Sequence, residues 1–171
     1  MKKVVFSGGL LLLAGLALAF TLPRDGEGEA AQASNETITW MSWEEAMIAM
    51  EANPKKIFID VYTDWCGWCK RMDSQTFTDP GVAAFMNEHF YAVKFDAEGN
   101  QPIEYKGRTL QFRPDWGRRG VHEFAAMLLN GRLGYPSFVY LDEDQNSLKV
   151  SPGFKTPDIL IAEMQTVVGA Q

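Results

Sequence analysis

Apolar and polar positions alternate along this chain with two different periods, and the switches between them mark its elements. After Lys2 and Lys3 an uncharged run extends from Val4 to Phe20. From Thr21 to Glu36 the chain is rich in Gly, Ala and Glu and almost lacks large apolar residues, so it cannot bury enough surface to order itself and reads as a tether. Ser42-Trp43-Glu44-Glu45 has the form of a capping box, and Trp43, Ala46, Met47 and Met50 recur at helical spacing until Asn53-Pro54 stops them. Ile57 to Tyr62 is short, β-branched and mostly apolar, the pattern of a strand buried on both faces. Lys70 to Thr76 continues a helix, Asp79-Pro80 restarts or kinks it, and Val82, Phe85, Met86 and Phe90 supply an apolar face. Tyr91 to Phe95 then alternates as a second strand. Helix, strand, helix, strand in this order implies a parallel pair joined by a crossover.

Between Ala97 and Gly120 the periodicity breaks down into Gly, Pro, Arg and aromatic residues. Within that stretch Ile103-Glu104-Tyr105 and Thr109-Leu110-Gln111-Phe112 flank Lys106-Gly107-Arg108, which suits a small hairpin. The stretch is an insertion, either a surface excursion packed on its own aromatics or a partner-recognition loop near a site. Val121 to Leu129 returns to helix and ends on the cap signal Asn130-Gly131. Ser137 to Leu141 and Ser147 to Val150, separated by a polar turn from Asp142 to Asn146, form an antiparallel hairpin. Thr156-Pro157-Asp158 opens a last helix with Leu160, Ile161, Met164, Val167 and Val168 on one stripe.

Composition narrows the setting. The chain has 171 residues, room for one domain of ordinary size with sequence to spare. Its first 19 residues have the layout of an export signal: two lysines, an apolar core, then small residues. Ala17-Leu18-Ala19 and Ala31-Gln32-Ala33 compete as cleavage points, and the first is preferred because it directly follows the core. An uncleaved anchor is the alternative, since the apolar run approaches the ~20 residues that span a bilayer. No cysteine follows that run, which excludes a lipid-anchored lipoprotein. The division expected is therefore a signal or anchor at 1–19, a flexible linker at 20–38 and a folded domain at 39–171 with an insertion at about 97–120. Without Lys2 and Lys3, 14 basic residues face 22 acidic ones, a formal −8, which argues against nucleic acid or an anionic membrane surface as partner. The only membrane association expected is an uncleaved N-terminal anchor.

Only two cysteines are present, both in Trp65-Cys66-Gly67-Trp68-Cys69, where a strand gives way to a helix. In an oxidising compartment surplus cysteines tend to pair as staples, so a lone pair with two residues between them is kept for a reaction. A thiol at a helix N-terminus feels the positive end of the dipole and free backbone N–H groups, which favours the thiolate. Cys66 is thus expected to be the exposed, attacking thiol, and Cys69, one turn on and more buried, the resolving one. Asp60 interrupts the first strand. A carboxylate there is either paired, raised in pKa, or at a frayed edge in water.

These residues resemble the thioredoxin superfamily, and more narrowly the exported thioredoxin-like proteins related to the DUF255 and thioredoxin_7 groups. The resemblance spans roughly Thr39 to Val168. It rests on three features in order: the Trp65 to Cys69 motif after a strand, an acidic residue six positions before its first cysteine (Asp60), and Tyr135-Pro136 just before a late strand. It implies an α/β thioredoxin fold, a central mixed β-sheet flanked by helices, with the insertion preceding the strand of a cis proline. By matching position, Pro136 is implied to be cis and to lie beside the dithiol, and Asp60 to act as general base or acid for Cys69. Two departures stand out: Gly67-Trp68 replaces the Gly-Pro of thioredoxin between the cysteines, and the 97–120 segment has no counterpart in the minimal fold.

The function expected is an exported, periplasmic or extracytoplasmic thiol–disulfide oxidoreductase that reduces or isomerises protein disulfides, with Cys66, Cys69, Asp60 and Pro136 catalytic. Trp65, Gly67, Trp68 and Tyr135 are the candidate substrate contacts; Trp65 and Trp68 would give a flat apolar rim, although core packing is the competing role, more so for Trp65. Partners would be a disulfide-bearing substrate protein and an electron-donor or acceptor protein, with no cofactor. The alternative is a partner-binding module on the same scaffold, using the loop from Ala97 to Gly120. A zinc site from Cys66, Cys69, His89 and His122 has only half of a structural ligand set and is not supported.

Overall fold

The computed structural model describes residues 36–169. The expected export signal, and the expected linker as far as residue 35, lie outside the described residues. The first strand, β1 (Trp40–Met41), leads into α1 (Trp43–Ala52), whose start is the expected capping box: Glu45 N–H donates to Ser42 Oγ and Ser42 N–H to the Glu45 carboxylate. Strand β2 (Lys56–Tyr62) follows, then α2 (Gly67–Arg71), a π-helical turn at Met72–Thr76, α3 (Pro80–His89) and β3 (Phe90–Asp96). Two short hairpins come next, β4 (Ile103–Tyr105) with β5 (Arg108–Leu110), and β6 (Phe112–Arg113) with β7 (Val121–His122). The chain ends in α4 (Glu123–Leu128), β8 (Ser137–Leu141), β9 (Ser147–Pro152) and α5 (Pro157–Gly169).

The main sheet has the order β1-β3-β2-β8-β9. Its first three strands are parallel, as the crossover requires, and β8 and β9 run antiparallel to their neighbours. Strand β2 sits in the middle, and its period-2 alternation divides the core. Ile57, Ile59 and Val61 face a cluster with Trp43 of α1 and Phe124 of α4. Phe58 faces the other side, with Met72 of the π turn, Val82 and Met86 of α3, and Leu160 and Met164 of α5. Asp60 shares Phe58's face by the same alternation. Ile38, assigned by sequence to the linker, packs in this second cluster.

The structure corrects the sequence at four places. Phe90 begins β3 instead of completing the helix; it lies four residues after Met86, so helical spacing and strand alternation both explain its burial. Phe112 leaves the first hairpin and pairs with His122 in the second. Val121 and His122 are strand, and His122 caps α4, with Phe124 N–H donating to Nδ1 while Nε2 meets the Gln101 carbonyl. The insertion is not a surface excursion either. Ile103, Leu110 and Val121 are buried in the Trp43 cluster, and Trp43 Nε1–H donates to Glu104 O at 2.9 Å.

Gly120 is what lets the second hairpin close. Its φ is +75°, and a Cβ there would lie 2.2 Å from Phe112 Cζ and 2.9 Å from the Arg113 carbonyl. Gly117 has a similar φ of +72° but nothing within 4 Å of its Cβ position. Urea unfolding should therefore separate the two: Gly117→Ala is expected to cost about 1 kcal/mol for the left-handed backbone alone, and Gly120→Ala about 2–4 kcal/mol with the clash added. Equal losses would mean that the hairpin is held by something other than this close approach.

Candidate active site

The dithiol motif is built where β2 ends. Cys66 N–H donates to Thr63 O at 3.1 Å, which turns the chain, and Cys66 becomes the N-cap of α2 with extended backbone. Its Sγ accepts the Cys69 N–H at 3.1 Å, so the sulfur occupies the place of a capping oxygen. Cys66 and Cys69 are joined as a disulfide. Both are buried, with Cys66 4 % and Cys69 2 % exposed, so the expected contrast between an exposed and a buried thiol is absent in this oxidised form.

The tryptophans take the solvent instead. Trp65 is 53 % and Trp68 55 % exposed, which removes the core-packing role for both. Trp65 is nevertheless held on three sides: its Nε1–H donates to Glu98 Oε1 at 2.9 Å, its ring meets Tyr135 edge-on at 6.1 Å, and Arg119 lies 5.5 Å over it. Trp68 packs against Phe154, 5.7 Å between centroids, with Arg71 over both rings. Gly67, between the cysteines, has open space where a Cβ would stand, so sterics do not demand a glycine there.

Tyr135 and Pro136 lie just before β8, and the peptide between them is cis. Pro136 O accepts the Gly153 N–H at 2.8 Å, joining this corner to the end of β9. The Tyr135 hydroxyl is pushed up to about 12, first by burial and then by the nearby Glu98 and Asp96 carboxylates. The Trp65–Tyr135 contact thus links the residue before Cys66 to the residue before Pro136.

Asp60 is not at a frayed edge: it is 1 % exposed in the central strand. Directly opposite in the β3 register stands Lys94. The Lys94 ammonium forms an ion pair with Asp60 Oδ2 at 3.2 Å, and neither carboxylate oxygen has a well-aligned hydrogen-bond partner among the described residues. The ammonium's hydrogen bond goes instead to Asp73, in the π-helical turn. Burial pushes the Asp60 carboxyl up to about 6; Lys94 opposes this and Asp73 reinforces it. For Lys94 itself burial favours losing the proton, but the two carboxylates outweigh burial and hold its pKa above the ordinary value. Lys94, Asp73 and Glu98 were not singled out in the sequence. The polar position in the alternating Tyr91 to Phe95 run was the one signal for Lys94, and only the strand register gives it a partner. Nearby, the Thr63 hydroxyl is also buried without a hydrogen-bond partner among the described residues.

The two histidines have other surroundings. His122 engages both ring nitrogens inside the insertion, and the His89 ring lies 4.3 Å from Phe85.

Similarities to known proteins bear on this arrangement. The family model described as "Thioredox_DsbH: Protein of unknown function, DUF255" matches residues 29–158. A curated relative, the Caenorhabditis elegans protein B0495.5, is 27% identical over 128 residues, 74% of this chain and 16% of that protein. The thiol:disulfide interchange protein DsbD of Ralstonia nicotianae is 24% identical over 127 residues, 74% of this chain and 18% of its own length. The chain therefore spans less than a fifth of the length of these two relatives. Among solved structures, one titled "DsbH Oxidoreductase" superposes with a TM-score of 0.58 at 20% identity, covering 92% of this chain and 96% of the other, and shares its fold. With a mixed sheet flanked by helices, a C-x-x-C pair at a helix start and a family match over most of its length, this chain has the thioredoxin fold and belongs to the Thioredox_DsbH (DUF255) family.

Proposed function

We propose that this protein is an exported thiol–disulfide oxidoreductase that reduces or isomerises disulfides in other proteins. The observation that carries the proposal is the Cys66–Cys69 pair seated at the start of α2, with a buried carboxylate, Asp60, on the sheet face packed by Met72 of the π turn that follows α2. A dithiol that closes into an intramolecular disulfide transfers two electrons without a cofactor. The thiol:disulfide interchange and oxidoreductase names carried by relatives support the same chemistry. Export rests on the charge and apolar layout of the first 19 residues.

In the reduced protein the Cys66 thiolate attacks one sulfur of the substrate disulfide. A bond forms between Cys66 Sγ and that sulfur, the substrate's own S–S bond breaks, and the second substrate sulfur leaves as a thiolate that takes up a proton. Cys69 then gives up its proton, with Asp60 as the base, and attacks Cys66 Sγ. The first substrate sulfur leaves in turn as a thiolate that takes up a proton from water, and Asp60 returns the proton it accepted to the solvent. The substrate has gained two electrons and two protons, and the protein is left with the Cys66–Cys69 disulfide. An external dithiol must reduce it again.

The purified chain is expected to reduce a protein disulfide in the presence of dithiothreitol, and Cys66→Ser to abolish that activity; full activity in the variant would overturn the proposal. With Cys69→Ser a mixed disulfide should accumulate, visible as a reductant-sensitive band on a gel.

Asp60 also sets a pH dependence. In the fold it keeps its proton up to about pH 6, whereas the ordinary carboxyl loses it near 3.8. Between these values the folded chain holds a proton that the unfolded chain has lost, so stability falls as pH rises through this window, by about 3 kcal/mol in all. Asp60→Asn should therefore be more stable than the parent at pH 8, by up to about 3 kcal/mol, and lose that advantage near pH 4. Urea midpoints of both proteins across this range check it; a pH-independent difference would contradict the raised carboxyl.

A further inference from the structure

Three of the seven large apolar side chains exposed among the described residues, Trp65, Trp116 and Leu133, converge with Tyr135 on one hollow of about 660 Å³. The β6–β7 hairpin supplies its opposite wall through Arg118 and Arg119. Neither arginine has a carboxylate at ion-pair distance among the described residues, and Arg119 is stacked over Trp65. Glu98 also borders the hollow, but its carboxylate already accepts the Trp65 indole N–H. A chain of net charge −6 therefore presents two guanidinium groups and an apolar floor beside the residue that precedes Cys66. Exposed apolar surface gathered in one place marks a recognition site, and tryptophan and arginine are the side chains that anchor such sites. We infer that this hollow binds the polypeptide flanking the reacting cysteine of a substrate protein and selects a large apolar residue next to an acidic one.

The inference rests on the dithiol chemistry proposed above, and two readouts keep the two apart. Peptide disulfides with leucine and glutamate beside the cysteine are compared with peptides carrying leucine and lysine. The ratio of kcat/KM should favour glutamate by about tenfold at low salt and fall toward one in Arg118→Ala/Arg119→Ala. The same peptides with serine for cysteine, followed by fluorescence anisotropy, should show the same preference in binding without chemistry. Equal turnover and equal binding of both peptides overturn the inference while leaving the oxidoreductase standing. Preferential binding with no turnover of either peptide keeps the recognition site and overturns the chemistry.

Independently, the geometry points to Asp73 as a positioning residue for the proton on Asp60, acting by holding Lys94. The π turn at Met72–Thr76 brings Asp73 to the ammonium, which lies 5.1, 5.0 and 5.5 Å over the rings of Trp40, Tyr62 and Phe77, hydrogen-bonds Asp73 and shares its charge with Asp60 in an ion pair of 3.2 Å. Lys94 and Asp73 are the charged groups that bear directly on Asp60 among the described residues. Neutralising Asp73 removes a negative charge near Asp60 and releases Lys94 to it, and both changes favour the ionised Asp60. Carbon-detected NMR titration of the Asp60 carboxyl in the oxidised protein reads this without turnover. Asp73→Asn should lower its proton affinity by about three- to tenfold, and Asp73→Glu should restore it. An unchanged or higher proton affinity in Asp73→Asn, or no rescue by Asp73→Glu, overturns the assignment.

Discussion

A carboxylate in the middle of the sheet is the constraint to which its surroundings conform. Asp60 stands in β2 with strands hydrogen-bonded on both sides, and an apolar residue there would avoid the desolvation that Asp60 suffers. Lys94, across the parallel register, offsets part of that penalty, and Asp73 takes part of Lys94 away. Buried ion pairs seldom add net stability over apolar packing. A group kept at such a site against its own stability contribution is better explained by what its proton can do. It lies on the face covered by Met72 and Phe77, in the segment that follows the dithiol, and the proposed exchange with Cys69 is the use for that proton.

Much of this was legible in the sequence because the signals are local. The capping box at Ser42, the apolar run of β2 and the cap at Asn130-Gly131, where both residues have positive φ, depend on neighbours within a few positions. The dithiol stood out because there are no other cysteines. Asp60 was conspicuous as the one charge in an apolar run. What the sequence left undetermined depends on distant partners. Phe90 fits a helix face and a strand face equally, and pairing with Lys56 decides between them. Val121 and His122 extend a helical pattern by two residues too many because their partners, Arg113 and Phe112, lie across a loop. The exposure of Trp65 could not be read from its apolar character, since its indole N–H is satisfied by Glu98, 33 residues away. The π turn, which brings Asp73 to Lys94, leaves no mark in the sequence, where the period of 3.6 continues through it.

In the segment between β3 and α4, core packing and the proposed recognition surface share one stretch of chain. Its two ends are tied together: Ala97 N–H donates to Tyr62 O, and His122 N–H to Ala97 O, both at 2.8 Å. Between them Ile103 and Leu110 fill the core beside Trp43, so the first hairpin is anchored by burial. Glu123 then clamps the second, accepting from the Gln111 N–H and pairing with Arg113 at 2.6 Å. The tip from Trp116 to Arg119 lines the hollow beside Trp65. A recognition loop carried on a buried hairpin loses less freedom when a partner binds than one on an unsupported excursion. Val121, buried in the hydrophobic core and paired with Arg113 at the base of the second hairpin, therefore ties the proposed recognition surface to that core.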